Sequence, residues 1–486
     1  MLRKVLIPTA GGLLVALALF LLLELGVRAS GRMELTPGAV LDRDAQYFLP
    51  HAEQKGIWTT TYWQEVRDEL ELNVLGQRRK RVLLFGGSNA WSFGTQPLKN
   101  ELVDGVPGQR FQVLNLGRNG YGSERVRLVF EQALEHLDPD FVVLYFGDNE
   151  FVESPWPGPV RSLPVGLRRL HSARMISTLI HRSSRRHPVP PETWMPDWDY
   201  YMGLTLDQTQ ERLDLLRRNV SGMIETAEAR GVRVVLCTVV FNRFSAPYGG
   251  RIDLEGEPRK RFGQLREEAT ACLPAFLAPL LPVHKDDRVR RMDWDLGTPD
   301  EPGARADGQR VGMRECSGRF ADIELWLSPP EKWHARLWRL NETLRQLHAR
   351  ELDAAQREAL GRAAELLDEA LAIAPDHPRT LFERALVAYL MQEDAERVER
   401  LFLDAASYDR APKKSSQAIN DLLREVAAEH PETLLVDIDE RFAEWSPDRL
   451  VGWEVMYDHC HILPGAAAVV MHLIGEAMLE RWFPSD

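Results

Sequence analysis

The sequence predicts an α/β protein with a mostly parallel, five-stranded sheet that helices cover on both faces. Short apolar runs, each suited to a buried strand, alternate along the chain with segments of helical spacing. Strands that alternate with helices pair in parallel through crossover connections, so this order of elements sets the fold class. In such a sheet, ligands bind at the carboxyl ends of the strands.

The predicted strands and several helices can be located along the chain. The first strand begins at Arg81, and its apolar run ends at Gly86 and Gly87, which mark a tight turn. The other predicted strands are residues 111–116, 141–146, 232–240 and 433–437. The predicted helices are residues 123–137, residues 206–230 and a segment ending near Glu429. Long loops and short helices are expected in residues 152–205 and 243–325.

Length and charge limit the class of protein. A chain of 486 residues exceeds one compact core, which predicts a main domain enlarged by insertions. The net charge of −12 argues against nucleic acid as a partner, because phosphate contacts need clustered Lys and Arg. The predicted parts are residues 1–32 (transmembrane anchor), 33–77 (connecting segment), 78–330 (first part of the α/β domain), 331–412 (helical insertion) and 413–486 (second part of the α/β domain).

The N-terminal residues 5–27 are almost wholly apolar and long enough to span a bilayer as one helix. Arg3 and Lys4 precede this stretch, which favours a cytoplasmic N-terminus and places the bulk of the chain on the periplasmic or extracellular side. A cleavable signal peptide is the alternative, since residues 27–29 have small-residue character. We favour the uncleaved anchor, because the apolar stretch is longer than the core of a typical signal peptide.

The cysteines predict neither a disulfide scaffold nor a metal centre, and no cofactor is predicted. There are only four, without the paired CxxC spacing that is typical of zinc sites: Cys237, Cys272, Cys316 and Cys460. Outside the cytoplasm, a bridge between Cys272 and Cys316 stays open, because spacing along the chain does not establish disulfide geometry.

The helical insertion, residues 331–412, is rich in Ala, Leu, Glu and Arg. Consecutive antiparallel helices are predicted over residues 363–374 and 380–391. The spacing resembles a tetratricopeptide repeat, whose small, proline and aromatic positions fall on Ala370, Pro375, Ala385 and Tyr389. The resemblance covers about one and a half repeats, and a lone repeat cannot bury its own face. An ordinary hairpin packed on the sheet and a docking surface for a protein partner are therefore equal alternatives.

Several polar residues follow the predicted strands. Ser88 comes directly after the first strand and two glycines, where a serine can act as a nucleophile, although turn and N-cap serines are commoner. The loops at 115–123 and 147–150 follow the second and third strands, so all three segments converge on one edge of the sheet. Near the C-terminus, Asp458 and His461 have a spacing that lets the carboxylate bond the imidazole within one turn.

These four segments, in this order, resemble the blocks of the SGNH, or GDSL-like, hydrolase family across residues 81–151 and 433–483. The family's functional positions fall on Ser88, Gly120, Asn149, Asp458 and His461. Two departures involve flanking acids. The family's GDS reads Gly-Gly-Ser at 86–88, and its GxND reads Gly-Asp-Asn-Glu at 147–150.

The resemblance implies a three-layer α/β/α sandwich of the flavodoxin-like SGNH type and an enzyme that acts on esters of lipids, sugars or polysaccharides. Ser88 would be the nucleophile, His461 the general base and Asp458 the residue that orients the imidazole. The backbone N–H groups of Ser88 and Gly120 and the side-chain amide of Asn149 would form the oxyanion hole.

Four neighbouring side chains are interpreted as outside the chemistry. Asp148 and Glu150 are interpreted as ordinary loop charges. His459 is the rival for the base, but its spacing from Asp458 departs from the family's. Cys460 is interpreted as a buried neighbour, since no separate base is apparent for it.

Two hypotheses of different classes follow. In the first, the chain is a membrane-anchored serine esterase or acyl-transfer enzyme that acts on an ester, such as an acyl or O-acetyl group of an envelope glycan or lipid. Water and a sugar hydroxyl are both open as acceptors. In the second, the α/β domain is a catalytically degenerate scaffold, and the helical insertion binds a partner protein. The presence of all five family positions favours the first hypothesis.

Overall fold

The computed structural model describes residues 19–27, 29, 47–50, 58–60, 62–71, 79–151, 172, 175–176, 205–247, 254–273, 344–409 and 414–484. The chain divides into two compact units. The first consists of residues 1–49, 60–62 and 154–196, and the second consists of residues 50–59, 63–153 and 197–486.

In the first unit, residues 19–27 are helical. The buried carboxylate of Glu24 accepts hydrogen bonds from the backbone N–H (2.7 Å) and the hydroxyl (2.6 Å) of Ser172. No helix among the described residues is both long and apolar enough to cross a membrane. Because residues 5–18 lie outside the described part of the chain, the transmembrane anchor stays a prediction.

The second unit contains a five-stranded sheet in which neighbouring strands are parallel. Its strands are β1 Lys80–Gly86, β2 Phe111–Asn115, β3 Phe141–Tyr145, β4 Arg233–Cys237 and β5 Leu434–Val436. Their spatial order is β2-β1-β3-β4-β5, the flavodoxin-like order, in which the direction of winding changes between β1 and β3. The predicted α/β class and the parallel five-stranded sheet are confirmed.

Helices flank and extend this sheet. In the described part of the second unit they are α1 Gln64–Glu71, α2 Ser88–Ser92, α3 Gln96–Gly105, α4 Ser123–His136, α5 Leu206–Glu228, α6 Gly256–Cys272, α7 Ala354–Ile373, α8 Pro378–Leu390, α9 Ala395–Ser407, α10 Gln417–Glu429, α11 Ile438–Trp445 and α12 Pro464–Trp482. A 3-10 turn covers Pro447–Arg449, and two-residue strands at Leu49–Pro50 and Trp58–Thr59 lie outside the central sheet.

The strand β1 contributes to two cores, because side chains alternate between the faces of a sheet. Val82 and Leu84 belong to a buried cluster with residues of α3 and α12. Phe85 points to the opposite face and meets Phe130 of α4, with the ring centroids 5.2 Å apart. Burial on both faces explains why the strands read as near-continuous apolar runs.

The helices α6, α7, α8 and α9 share a second hydrophobic core. Each packs against the next: α6 on α7, α7 on α8 and α8 on α9. The two helices predicted in residues 331–412 correspond to α7 and α8, and α9 extends the array. Nearly every residue of α8 is buried, so this helix is enclosed by its neighbours.

The helix α6 corrects one expectation from the sequence. Residues 243–325 are expected to form long loops and short helices, yet α6 runs for 17 residues within them. Its buried residues Phe262, Leu265 and Ala269 recur every three or four positions, which is the helical period. Because charged residues lie before and between these three, the composition of the segment does not reveal the apolar stripe.

The described cysteines lie in or beside the cores. Cys237, in β4, is fully buried, and burial raises the pKa of its thiol well above the ordinary value, which makes it an inert core residue. Cys272, at the end of α6, is not bridged to another described cysteine. Its candidate partner Cys316 lies outside the described residues, so a bridge between them stays open.

A buried ion pair joins the loop after β4 to α11. The guanidinium of Arg243 donates to both carboxylate oxygens of Asp439 at 3.1 Å, and each side chain is 2% exposed. Because removing one partner leaves the other charge buried and unpaired, we expect Asp439→Ala to lower the free energy of unfolding by about 3 kcal/mol.

The control for this prediction is Glu444→Ala in the same helix, which breaks an exposed pair with Arg441. It should change the free energy of unfolding by less than about 1 kcal/mol. Denaturant titration of both variants measures the difference. Equal effects would show that the buried pair adds nothing beyond a surface contact.

Candidate active site

Two glycines let the chain turn sharply between β1 and Ser88, the first residue of α2. A Cβ on Gly86 would lie 2.0 Å from the carbonyl oxygen of Tyr145 in β3. A Cβ on Gly87 would lie 2.5 Å from the side-chain nitrogen of Asn149. Both positions therefore require glycine because neighbouring atoms approach closely, and Ser88 is held at the carboxyl end of the sheet.

The C-terminal turn around Asp458 is organised by one carboxylate. Oxygen Oδ1 of Asp458 accepts from the backbone N–H groups of Cys460 (2.8 Å) and His461 (2.7 Å). Oxygen Oδ2 accepts from Nδ1 of His461 at 2.7 Å. An antiparallel β-bridge between Met456 and Ile462 pairs the two ends of the turn. The same residue thus shapes the backbone and orients the imidazole.

The turn brings His461 to Ser88. The distance between Nε2 of His461 and Oγ of Ser88 is 2.8 Å, so hydrogen bonds run without a break from the hydroxyl to the Asp458 carboxylate. Ser88 is 6% exposed, whereas the His461 side chain is 37% exposed. A reactant can therefore approach this group of three from the imidazole side.

Asp458 and His461 each stabilise the charged form of the other. Burial alone would raise the pKa of Asp458, but the hydrogen bond from His461 and the nearby imidazoles hold it well below its ordinary value. Burial alone would lower the pKa of His461, but Asp458 raises it. The carboxylate is ionised and binds Nδ1–H, which leaves the lone pair of Nε2 to accept the hydroxyl proton of Ser88.

The two other predicted positions lie in loops that meet at the same edge. The side-chain amide of Asn149 donates to the carbonyl oxygen of Tyr121 at 3.3 Å and lies against Gly87. Gly120, the residue before Tyr121, has φ +75°, a conformation that favours glycine. The loops after β1, β2 and β3 therefore converge, as the sequence predicts.

Asn89 is a site residue that the sequence analysis misses. Its amide nitrogen donates to Oδ2 of Asp148 (2.7 Å) and to the carbonyl oxygen of Cys460 (2.6 Å). Its amide oxygen accepts from the backbone N–H of Ile462 at 3.0 Å. Through its bonds to Cys460 and Ile462, Asn89 thus holds the C-terminal turn next to Ser88. The only available signal in the sequence was its position next to the candidate nucleophile.

Asp148 and Glu150 are not ordinary loop charges, so that interpretation is wrong. Asp148 is buried and accepts from Asn89 and from the backbone N–H of Ser415 (3.1 Å). Glu150 is buried and accepts from the backbone N–H (2.8 Å) and hydroxyl (2.7 Å) of Ser123, the first residue of α4. Burial raises the pKa of Asp148 to about 6 and that of Glu150 to about 7.

The two remaining neighbours lie on the C-terminal turn. His459 does not take the place of His461: its Nδ1 lies 3.9 Å from Oδ1 of Asp458, and the imidazole bonded to Ser88 is that of His461. Cys460 is buried, and its Sγ lies 3.4 Å from Nδ1 of His461.

Comparisons with known proteins place little constraint on this chain. No family model and no curated protein matches it. A GDSL-like lipase from Bacteroides thetaiotaomicron VPI-5482 is similar in structure at 16% identity and a TM-score of 0.17, over 34% of this chain and 51% of that protein. A proposed acylhydrolase from Bacteroides fragilis NCTC 9343 matches at 16% identity and a TM-score of 0.20, over 43% and 73%.

The chain thus spans about half the length of the first of these structures. At TM-scores of this size, neither likeness assigns a fold or an activity to this chain.

Replacing Asn89 tests whether its hydrogen bonds hold the C-terminal turn in place. In Asn89→Ala, Cys460, Ile462 and buried Asp148 each lose the hydrogen bond that Asn89 makes with them. We expect the free energy of unfolding to fall by about 3 kcal/mol, because breaking several buried hydrogen bonds at once is costly. Asn119→Ala, on the exposed part of the loop after β2, is the control and should be nearly neutral. Similar values for both variants, from denaturant titration, would contradict the proposed role.

The raised pKa of Glu150 predicts a pH dependence of stability. A carboxyl whose pKa rises from 4.5 to about 7 on folding binds its proton more tightly in the folded state. Its contribution is therefore complete below pH 4.5 and is lost as the pH rises through 7. In Glu150→Gln, the fall in stability over this window should be shallower by up to about 1.4 kcal/mol per pH unit.

Denaturant titrations at several pH values between these limits measure the slope. Glu135→Gln, at an exposed position of α4, is the matched control and should keep the wild-type slope. If Glu150→Gln also keeps it, the carboxyl does not titrate in this range.

Proposed function

We propose that this chain is a serine hydrolase of the SGNH type that cleaves or transfers an ester-linked acyl group. The observation that carries the proposal is the hydrogen-bonded chain from Ser88 through His461 to Asp458, with bonds of 2.8 and 2.7 Å. A scaffold that had lost its activity would have no need to keep this geometry, so the enzyme is favoured over the partner-binding alternative.

The three side chains can perform acyl transfer in two stages. His461 takes the hydroxyl proton of Ser88 at Nε2 as the oxygen attacks the ester carbonyl, and then returns it to the leaving alcohol. Asp458, held ionised, stabilises the imidazolium and keeps the proton on Nδ1. In the second stage, water or a second hydroxyl gives its proton to His461 as it attacks the acyl group on Ser88. His461 then returns this proton to the Ser88 oxygen as the acyl group leaves.

Donors for the developing oxyanion come from three loops. Ser88 begins α2, where a backbone N–H has no partner inside the helix. The side-chain amide of Asn149 has two hydrogens, of which one bonds Tyr121 and the other can serve a substrate oxygen. Gly120 lies one residue before Tyr121, in the same converging loop. We assign these three groups as the oxyanion hole, with a donor typically contributing about 100- to 1,000-fold in rate.

The site of action follows from the N-terminus. The apolar residues 5–27 and the preceding Arg3 and Lys4 support a membrane anchor with the catalytic domain on the periplasmic or extracellular side. An enzyme held there meets acyl or O-acetyl groups on envelope glycans and lipids, which we propose as the substrate class.

Labelling of the full chain, purified in detergent, with a fluorescent fluorophosphonate tests this proposal. Wild type should be labelled and Ser88→Ala should not, since the reagent bonds to an activated serine. His461→Ala should be labelled at least about 100-fold more slowly, because the general base is gone.

The matched control is Ser92→Ala, which removes an exposed hydroxyl from the same helix and should label at the wild-type rate. Full labelling of Ser88→Ala would overturn the assignment of the nucleophile. A folded wild type that does not react would favour the alternative in which the helical insertion, residues 331–412, binds a partner.

A further inference from the structure

The C-terminal turn also carries the sulfur of Cys460, which the acyl-transfer mechanism does not use. Asp458, Cys460 and His461 each present one metal-ligating atom, and these atoms all lie within 4.8 Å of one another. The sulfur of Cys460 is 3.4 Å from Nδ1 of His461, and Nδ1 is 2.7 Å from Oδ2 of Asp458. A thiol, an imidazole and a carboxylate are the three protein ligands of zinc.

We propose that this turn binds a thiophilic divalent cation such as Zn²⁺, and that the bound ion reversibly blocks Ser88. In a tetrahedral site, zinc bonds of about 2.3 Å to sulfur and 2.0 Å to nitrogen separate these two ligands by about 3.5 Å. The sulfur and nitrogen are already at 3.4 Å. Oxygen Oδ2 of Asp458, at 2.7 Å from Nδ1, is closer than two zinc ligands can lie, so this carboxylate has to swing aside to admit the ion next to Nδ1.

The backbone of the turn is already fixed, so little ordering is needed on binding. The N–H groups of Cys460 and His461 are bonded to Asp458, and the carbonyl oxygen of Cys460 is bonded to Asn89. The backbone N–H of Tyr457 donates to the carbonyl oxygen of His461 at 2.7 Å. Partial exposure of the Asp458 and His461 side chains, 21% and 37%, gives an ion and a fourth ligand, water, a way in.

Binding at Nδ1 would reverse the hydrogen bond to Ser88. In the resting site, Nδ1 carries the proton and Nε2 accepts from the hydroxyl. When the cation takes the place of the Nδ1 proton, the neutral ring carries its proton on Nε2, and the thiol proton of Cys460 is released to solvent. His461 then donates to Ser88 and can no longer accept its proton. This inhibition rests on the function proposed above, whereas binding of the ion does not.

The ligand set also predicts selectivity. Thiolate and imidazole favour Zn²⁺, Cd²⁺ and Co²⁺, while Mg²⁺ and Ca²⁺ prefer oxygen ligands. Inhibition should therefore appear with Zn²⁺ and be absent with Mg²⁺. Chelation with EDTA should restore the reactivity of Ser88.

Titration of the full chain with Co²⁺ tests binding without any need for activity. Wild type should develop the charge-transfer absorption of a thiolate–cobalt bond, and Cys460→Ala should not. Zn²⁺ should displace Co²⁺, with an affinity at least about tenfold higher for wild type than for Cys460→Ala, since even outer-shell changes cost about 10- to 100-fold. Cys272→Ala, which removes a partly exposed thiol of α6, is the matched control and should keep the band.

Two outcomes of the titration would overturn the proposed site: no band in wild type, or the same band in Cys460→Ala. The volume-conserving Cys460→Ser, checked for its unfolding midpoint, separates loss of the ligand from loss of the fold. Fluorophosphonate labelling then tests the inhibition. Zn²⁺ should suppress labelling of wild type and leave Cys460→Ala reactive, and full labelling of the metal-loaded wild type would refute the block. A wild type that binds Co²⁺ but never reacts would count against the proposed function alone.

Discussion

The arrangement of the site depends on the side-chain amide of Asn89. It bonds the loop after β3 through Asp148, and it bonds the C-terminal turn through Cys460, which lies 371 residues further along the chain. An amide can do this because it offers donors and an acceptor on one rigid plane. Because the loop after β3 and the C-terminal turn are both bonded to Asn89, directly after Ser88, His461 is held at hydrogen-bond distance from the hydroxyl.

Two carboxylates, those of Asp148 and Glu150, are buried at this edge of the sheet. Asp148 and Glu150 each accept two hydrogen bonds, so neither is left without donors on burial. Their raised pKa values show that these bonds do not fully offset the lost hydration. The hydrogen bonds of Glu150 connect the loop after β3 to Ser123 at the start of α4. Those of Asp148 connect the same loop to Ser415, just before α10. Both connections stiffen the loop that carries Asn149.

The C-terminal turn is compact because Asp458 accepts three hydrogen bonds from residues within three positions of itself. The same compactness brings the sulfur of Cys460 against the imidazole. A turn tight enough to hold an Asp–His pair is therefore also tight enough to present three ligand atoms together. The orientation of the His461 imidazole and the proposed binding of a thiophilic cation both depend on this local geometry.

The sequence by itself determined the α/β class, because strands buried on both faces must be continuously apolar, and Val82 to Phe85 show that pattern. It also singled out Ser88, Asp458 and His461 as candidates, which the structure brings within hydrogen-bond distance of one another, since their order and local spacing are properties of the chain. Only the tertiary structure decided that Asp148 and Glu150 are buried, that Asn89 fastens the turn and that the apolar residues of α6 have a partner in α7. Burial and hydrogen-bond partners depend on segments outside the local sequence, from 27 residues away for Glu150 and Ser123 to 371 for Asn89 and Cys460. Periodicity along the chain carries no information about those contacts.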